Sequence, residues 1–474
     1  MVFNSVSFLI FFLLFFPIYW FINNRCSVII RNIFLIASSY IFYGWWDWRF
    51  LSLIIISSTI DYIIGLKLHI TTIKSHRKLL LIVSLLVNLG ILGFFKYFNF
   101  FIESFNELLS IFPINLDSST LKIILPIGIS FYTFQTLSYT IDIYKKKIEP
   151  TRDIYSFFAF VSFFPQLVSG PIERASHLLQ QFHEKKAFNH KLCVAGLRLM
   201  LWGFFKKIVI ADNFGILADS IFNPDLSASG LTIIIGAIFF AFQIYADFSG
   251  YSDIAIGIAR MFGFDIIQNF KTPYYAASFG EFWRRWHISL STWFRDYVYI
   301  PLGGNKGKIS RVYLNISITF LLSGLWHGAD FTFLIWGGLH GLVLIIEKHI
   351  DIKLHKIYYY PVVLICVTLF WIPFRAEDLG HLADMVNSVI HLSSYSFVQI
   401  EQIVSDFSMI RFSTLITVLV AFMGVEFLMK SKDFNEWVGD RRKVTRILIY
   451  YALIFAILLI GNFSVKPSFI YFQF

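Results

Sequence analysis

Long apolar stretches alternate with short polar segments along this chain, and this pattern predicts an all-α integral membrane protein. An apolar run of about 18 or more residues can cross a bilayer as a helix. We predict a bundle of about eleven or twelve transmembrane helices, since that many stretches approach this length. The candidate crossings are 5–22, 31–45, 51–66, 79–101, 121–144, 192–222, 231–259, 309–325, 331–347, 357–373, 411–429 and 447–463. Two further stretches, 153–172 and 278–300, are interpreted as interfacial or re-entrant helices.

No long soluble linker separates the predicted crossings, which indicates a single domain over residues 1–474. Within it we distinguish N-terminal helices at 1–118, a core at 119–373 that contains the candidate catalytic residues, and C-terminal helices at 374–474. The composition agrees with a membrane protein: 57% of the residues are apolar and 15% are charged, whereas soluble domains have roughly 45–50% and 25%.

The charges in the loops predict an orientation. Lysine and arginine concentrate in alternate loops, and the positive-inside rule places those loops in the cytoplasm. They are the loops around 25–31, 67–78, 145–152, 348–356 and 430–446. This assignment puts both termini outside and predicts a multi-pass protein of the cytoplasmic (inner) membrane. The net charge of +10 belongs to these clusters, so we do not interpret it as a nucleic-acid-binding surface.

The segment 281–300 has the pattern of one amphipathic helix. An aromatic stripe, assigned to the membrane face, contains Trp283, Trp286, Leu290, Trp293 and Tyr297. The opposite stripe contains Arg284, His287, Ser291 and Arg295. Two interpretations stay open: an interfacial anchor, or a site where Arg284 and Arg295 hold the phosphates of a cytosolic donor while His287 faces the reaction channel.

A polar ladder runs along the next predicted crossing, where every fourth residue is polar: Asn315, Thr319, Ser323 and His327. Ionisable groups at membrane depth are costly and usually mark a pathway or a site. Because histidine titrates near neutral pH, His327 suits a general base that activates a hydroxyl; the alternative is a structural, neutral imidazole. For His340, which lies beside the GxxxG pattern of Gly337 and Gly341, we prefer a structural role.

Missing motifs narrow the function. The chain has no GxSxG, HExxH or GxxxxGK[ST] sequence, which disfavours a serine hydrolase, a zinc protease and an ATP-driven pump. Cys26, Cys193 and Cys366 form no CxxC pair, so we predict neither a disulfide framework nor a metal site. Asp247 and Asp253 lie within a predicted crossing, and we assign them to a buried hydrogen-bond network.

Several segments together resemble the membrane-bound O-acyltransferase family. They are FWRRWHISLSTWFRDYVYIPLGG at 282–304, SGLWHGAD at 323–330, FPQLVSGPIER at 164–174, YADFSGYSDIAIG at 245–257 and the terminal FIYFQF at 469–474. The resemblance covers most of the chain from residue 120 onward, together with YGWWDWRF at 43–50. It is greatest to the bacterial branch that O-acetylates alginate or peptidoglycan.

The resemblance implies a helix bundle around a tunnel that crosses the bilayer, with the WHG histidine, His327, essential for acyl transfer and His287 as a second family histidine. It also implies a thioester donor such as acetyl-CoA on the cytoplasmic side and no bound cofactor. Delivery on the outer side would use a partner protein and a polysaccharide acceptor. For the donor site and tunnel we predict Arg284, Ser291, Arg295, Trp286, Asn315, Ser323, Trp326 and Asp247.

The predicted function is therefore O-acylation, in which acetyl groups pass from the cytoplasm to a polysaccharide of the cell envelope. D-alanyl transfer to a teichoic acid-type polymer is one alternative, and an aminoacyl carrier protein would then be the donor. A transporter or channel is the alternative of another class, although no broken-helix repeats are apparent. Tyr471, in the terminal hexapeptide, is either an acyl carrier between His327 and a partner or part of an apolar anchor.

Overall fold

In the computed structural model, every regular element of the described residues is helical, which confirms the predicted all-α class. The described residues are 1–110, 120–168, 170–224, 228–350, 356–391, 396–430, 432–463 and 469–470.

Eight helical segments within these residues are long and apolar enough to cross a membrane. They are Val6–Arg25, Val28–Ile70, Lys74–Leu109, Gly230–Met261, Ile309–His327, Phe331–Ile350, Met409–Met429 and Lys443–Ile460. Their apolar side chains point outward in many places, and Ile410 and Leu459 are each 79% exposed. Apolar side chains so exposed at this density need lipid around them. The multi-pass membrane class is thus confirmed, while the predicted crossings at 121–144, 192–222 and 357–373 fall on shorter or interrupted helices.

Two compact units make up the chain. Unit 1 contains residues 1–194 and 258–267, and unit 2 contains residues 195–257 and 268–474. The three regions that we distinguished within a single domain follow other boundaries, and that division stays a prediction.

The described residues of unit 1 contain eight helices, with short 3₁₀ turns at 48–50 and 179–182 and a π-helical turn at 93–97. The helices are α1 Val6–Arg25, α2 Val28–Asp47, α3 Leu51–Ile70, α4 Lys74–Leu92, α5 Phe98–Ser110, α6 Ile129–Tyr144, α7 Ile154–Ser162 and α8 Phe164–Leu167. A ninth, α9, at His190–Phe204, begins in this unit and ends in the other.

A buried carboxylate links the spanning helices α3 and α4. Asp61 is fully buried and accepts hydrogen bonds from the Ser84 hydroxyl at 2.5 Å and the Asn88 amide at 2.8 Å. Asn88 in turn accepts from the hydroxyl of Ser57 at 2.6 Å. A buried polar group is costly unless it is hydrogen-bonded, and this network satisfies the carboxylate within the helix pair.

An acidic cluster holds residues 265–267 against the preceding part of unit 1. The buried Glu173 carboxylate accepts the N–H of Ile267 at 2.5 Å and lies 2.8 Å from Nδ1 of His177. On its other side, Nε2 of His177 lies 3.6 Å from Asp265. The interaction with Asp265, and after it that with Glu173, raises the pKa of His177 from 6.5 to about 10.

This cluster should make the stability of the protein depend on alkaline pH. A histidine with a raised pKa in the folded state contributes its full stabilisation below the unfolded pKa and loses it as the pH rises toward the folded value. We therefore expect the melting temperature of the detergent-solubilised protein to fall between pH 7 and pH 10. In His177→Gln this fall should be smaller. Parallel pH profiles for the two proteins would contradict the assignment.

Unit 2 contains the remaining helices, with π-helical segments at 205–211 and 295–299. They are α10 Asp212–Ile221, α11 Gly230–Met261, α12 Phe279–Arg285, α13 Ile288–Phe294, α14 Ile309–His327, α15 Phe331–Ile350, α16 Lys356–Arg375, α17 Leu379–Ile390, α18 Val398–Phe407, α19 Met409–Met429, α20 Phe434–Gly439 and α21 Lys443–Ile460. Of these, α11 extends by its last turn into unit 1.

Helices α14 and α15 form a tight hairpin, and glycine makes their close contact possible. A Cβ atom at Gly324 would lie 2.3 Å from the carbonyl oxygen of Phe333, and one at Gly337 would lie 2.3 Å from that of Phe320. Any larger residue at either position would force the helices apart. The GxxxG pattern of Gly337 and Gly341 thus lies at the contact between the two helices, and this contact positions the hairpin tip where His327 lies.

Candidate active site

The predicted single helix over 281–300 is wrong, because the backbone breaks at His287. Helix α12 ends at Arg285, and α13 begins at Ile288. Between them His287 adopts φ 41° and ψ 54°, the left-handed region that residues with a Cβ atom rarely occupy. Asn269 holds this junction: its carbonyl accepts the N–H of Ile288 at 2.9 Å, and its side chain accepts the N–H of Ser289 at 3.2 Å.

The sequence predicts that the aromatic stripe of this segment faces lipid. This prediction is wrong, because the stripe is buried within unit 2. All five of its members are buried, and Trp286 is fully so. Trp286 packs against Phe282, Phe270 and Trp371 at centroid separations of 5.5, 5.1 and 5.1 Å. The polar stripe is also divided, since Arg284 and Arg295 are exposed and His287 is buried. The segment is therefore part of the core of unit 2 rather than a helix lying on its surface.

His327 occupies the last position of α14, at the tip of the hairpin. The polar ladder that leads to it is buried throughout: Asn315, Thr319, Ser323 and His327. Gly328 caps the helix, and α15 begins three residues later, where Asp330 accepts the N–H of Thr332 at 2.8 Å. This short turn leaves the imidazole little freedom to move away from the tip.

The helix break and the hairpin tip bring the two histidines together. The ring centres of His287 and His327 lie 6.2 Å apart. The Trp326 ring contacts both, with its centre 5.7 Å from that of His287 and 5.0 Å from that of His327. Both imidazoles are buried, at 0% and 3% exposure. At this separation a single small group can contact both rings.

Aromatic rings enclose the pair. Phe248 contacts His287 at 4.6 Å, and Trp336 and Phe374 contact His327 at 4.9 and 5.5 Å. Walls of this kind exclude water, so charges that develop near the imidazoles are screened less than in solution. Such a site suits the transfer of an acyl group from a water-sensitive thioester.

Unit 2 contains a cavity of about 730 Å³, which reaches Ile288, the residue after His287, and Ser323 on α14. Its lining includes four residues predicted for the donor site: Arg284, Ser291, Arg295 and Ser323. Ser323 precedes His327 by one helical turn on α14, so the cavity extends toward the hairpin tip. Other predicted tunnel residues lie elsewhere. Trp286 is in the aromatic core, Trp326 is beside the histidines, Asn315 donates to the carbonyl of Gly304 at 3.0 Å, and Asp247 pairs with Lys207 at 2.8 Å.

Charged groups of the cavity have defined partners. Lys348 donates to Asn305 at 2.9 Å, and Arg295 donates to Asp296 at 2.7 Å. Glu347 accepts the N–H groups of Phe279 and Gly280, at 2.6 and 3.3 Å, and so caps the N-terminus of α12. Because that carboxylate is engaged by the helix end, Arg284, Arg295 and Lys348 give the cavity a positive character.

Several residues of this site and of its surroundings in unit 2 were not identified from the sequence. They are Asn269, Phe248, Trp336, Glu347, Lys206 and Lys207. For the two lysines a signal was available: two consecutive cations in an apolar stretch need anionic partners at membrane depth. Asp247 and Asp253 are those partners, at 2.8 Å from Lys207 and 2.6 Å from Lys206.

Tyr471 lies outside the described residues. The two residues before it, Phe469 and Ile470, are described and buried.

The fold and the site define a class of protein, a polytopic membrane enzyme whose paired histidines lie beside a cationic cavity. Comparison with known proteins identifies the family. The family model described as membrane-bound O-acyltransferase matches residues 148–354. A Pseudomonas putida protein named "Probable alginate O-acetylase AlgI" is 38% identical over the whole of both chains. The chain belongs to the membrane-bound O-acyltransferase family.

Two further relatives differ in the polymer that their names give. The peptidoglycan O-acetyltransferase of Helicobacter pylori is 36% identical over 79% of this chain and 77% of its own. The teichoic acid D-alanyltransferase of Streptococcus thermophilus is 29% identical over 52% of this chain and 63% of its own. The predicted resemblance to the family and the predicted acyltransferase class are therefore confirmed.

Proposed function

We propose that this chain moves acetyl groups from cytoplasmic acetyl-CoA across the inner membrane for the O-acetylation of an envelope polysaccharide. The observation that carries the proposal is the pair of buried imidazoles, 6.2 Å apart, beside a cavity whose wall contains Arg284 and Arg295. Guanidinium groups bind phosphates in bidentate fashion, which suits the nucleotide end of a coenzyme A thioester. The positive-inside orientation supports a cytoplasmic position for this cavity.

In the proposed reaction, His327 is the general base. Its imidazole takes the proton from an acceptor hydroxyl, whose oxygen attacks the thioester carbonyl. The new C–O bond forms as the C–S bond breaks, and the imidazolium returns the proton to the departing thiolate. We assign His287 to the same centre, on the donor side. Tyr471, as the carrier that hands the acyl group to an outer partner protein, stays a proposal.

The relatives support acetyl over D-alanyl transfer. The alginate O-acetylase relative aligns over the full length of both chains, whereas the D-alanyltransferase aligns over about half of this one. The cavity wall that contains Arg284 and Arg295 suits a free coenzyme, while an aminoacyl carrier protein would also need a docking surface outside the cavity. Alginate and peptidoglycan are the two acceptors that the relatives' names support.

Sealed membrane vesicles of both orientations test the proposal. Inverted vesicles, which expose the cytoplasmic face, should transfer label from [¹⁴C]acetyl-CoA to lumenal polysaccharide when its partner proteins are present. Right-side-out vesicles should transfer none until they are permeabilised. Vesicles that lack the chain provide the background, and D-alanyl carrier protein as donor tests the alternative. Equal labelling in the two orientations, or labelling only from the D-alanyl donor, would overturn the proposal.

A further inference from the structure

A buried ion cluster in unit 2 lies outside the proposed chemistry. Lys207 contacts Asp247 at 2.8 Å and Asp212 at 2.9 Å. The side chains of Lys207 and Asp247 are 5% and 4% exposed. Breaking such a pair leaves an uncompensated buried charge, so its members keep a fixed geometry.

Local backbone structure explains how this cluster forms. Lys206 and Lys207 lie on the π-helical segment 205–211, which follows α9. Helices α9 and α11 approach so closely that a Cβ atom at Gly203 would lie 2.6 Å from the carbonyl oxygen of Gly250. Consecutive lysines on one helix therefore meet two aspartates on the other, Lys206 with Asp253 and Lys207 with Asp247.

Asp247 also contacts the backbone of Ile470, near the end of the chain. One oxygen of the Asp247 carboxylate faces the ammonium of Lys207, while the other accepts the backbone N–H of Ile470 at 2.8 Å. Asp253 faces Lys206. A charged acceptor makes a stronger hydrogen bond to a backbone N–H than a neutral one does.

The docked residues lie beside the histidine pair. Phe469 and Ile470 are 1% and 2% exposed. The Phe469 ring contacts Tyr251 at 4.8 Å and Phe248 at 5.7 Å. Phe248 in turn contacts His287 at 4.6 Å. One aromatic ring thus separates Phe469 from the imidazole of His287.

A second attachment involves the same π-helical segment. The N–H of Asn462 donates to the carbonyl of Ile208 at 3.2 Å, and the amide of Asn213 donates to the carbonyl of Ile460 at 3.0 Å. The end of α21 and the residues at 469–470 are therefore both fastened within unit 2, next to the segment that contains Lys207.

We propose that Asp247, oriented by Lys207, is a positioning residue that docks residues 469–470 beside the histidine pair. The carboxylate recognises the backbone of residue 470 rather than its side chain. Lys207 supplies the charge balance that lets a carboxylate persist at membrane depth. The docking itself does not depend on the reaction, but its effect on acyl transfer rests on the proposed function.

Two pairs of variants in the full-length protein test the docking. Ile470→Pro removes the N–H that Asp247 accepts, while Ile470→Ala keeps it and shortens the side chain. Asp247→Asn removes the charge that pairs with Lys207, and Asp253→Asn makes the same change at the aspartate that lies six residues further along α11. The pair at residue 470 separates loss of the hydrogen bond from loss of side-chain volume. The aspartate pair separates loss of the hydrogen-bond acceptor from loss of a buried charge.

Hydrogen exchange of the C-terminal peptide, measured by mass spectrometry in detergent, is the first readout. Release of the segment should raise exchange by about tenfold or more, at residue 470 and its neighbours in Asp247→Asn and at the neighbouring amides in Ile470→Pro, which has no N–H at residue 470. Ile470→Ala keeps the contact and Asp253→Asn lies outside it, so each should change the exchange by less than about threefold. Exchange in α14 and α15 reports whether a variant is folded. Unchanged C-terminal exchange in folded Ile470→Pro would overturn the proposal.

Acetyl transfer is the second readout. Ile470→Pro should lower kcat while leaving the KM for acetyl-CoA unchanged, because the donor cavity is intact. A raised KM with unchanged kcat would contradict a positioning role at the histidine pair. If wild-type protein showed no transfer at all, the proposed function would fail, yet the exchange result would still decide whether Asp247 docks the segment.

Discussion

Replacement of His327 by alanine is expected to reduce acyl transfer by about 10²–10⁴-fold, the range for a positioned general base. The imidazole lies at the tip of a rigid hairpin, 3% exposed and enclosed by Trp326, Trp336 and Phe374. The neighbouring imidazole of His287 lies 6.2 Å away on the donor side, so we do not expect it to take over the proton transfer from the acceptor hydroxyl. The measurement is the initial rate of label transfer from [¹⁴C]acetyl-CoA in inverted vesicles.

Two controls give this result its meaning. His327→Gln keeps most of the side-chain volume and its hydrogen-bonding capacity but does not titrate, so it should lose activity as alanine does. His391→Ala removes an exposed histidine that bonds to its own helix at Asn387, and it should retain the wild-type rate. Full activity in folded His327→Gln would show that proton transfer does not depend on this residue.

The hairpin could be predicted from the sequence because its signals are local. Polar residues at every fourth position place Asn315, Thr319, Ser323 and His327 along one side of a helix. The GxxxG pattern of Gly337 and Gly341 then indicates a face where a second helix comes close. The structure buries the whole ladder and brings Gly324 against Gly337. Local periodicity and small residues are sufficient here, since the partner helix follows directly in the chain.

The break at His287 could not be predicted in the same way. Side chains over 281–300 satisfy helical periodicity, and no glycine or proline marks an interruption. The left-handed backbone of His287 is stabilised by Asn269, a residue that is distant in sequence and bonds to Ile288 and Ser289. Tertiary hydrogen bonds here override local helix propensity. The periodicity of side chains along the segment does not predict such bonds, because they come from a residue outside it.

Replacement of His287 has the second-largest expected effect, and its backbone makes the choice of substitution important. Alanine at φ 41° would combine loss of the imidazole with strain, because the left-handed region is costly for most residues with a Cβ atom. Asparagine tolerates this region best among the non-glycine residues, and glycine adopts it without strain. We expect both His287→Asn and His287→Gly to fold with α12 and α13 in place.

Both variants should nevertheless lose acyl transfer by about 10²-fold or more, at the lower end of the range for a positioned acid–base group. Since the two substitutes share the backbone conformation and differ in bulk, equal losses would assign the effect to the missing imidazole. Monodisperse elution and an unchanged melting temperature would exclude a folding defect. If His287→Asn kept the wild-type rate, the residue would serve only to turn the chain, and the centre would operate with His327 alone.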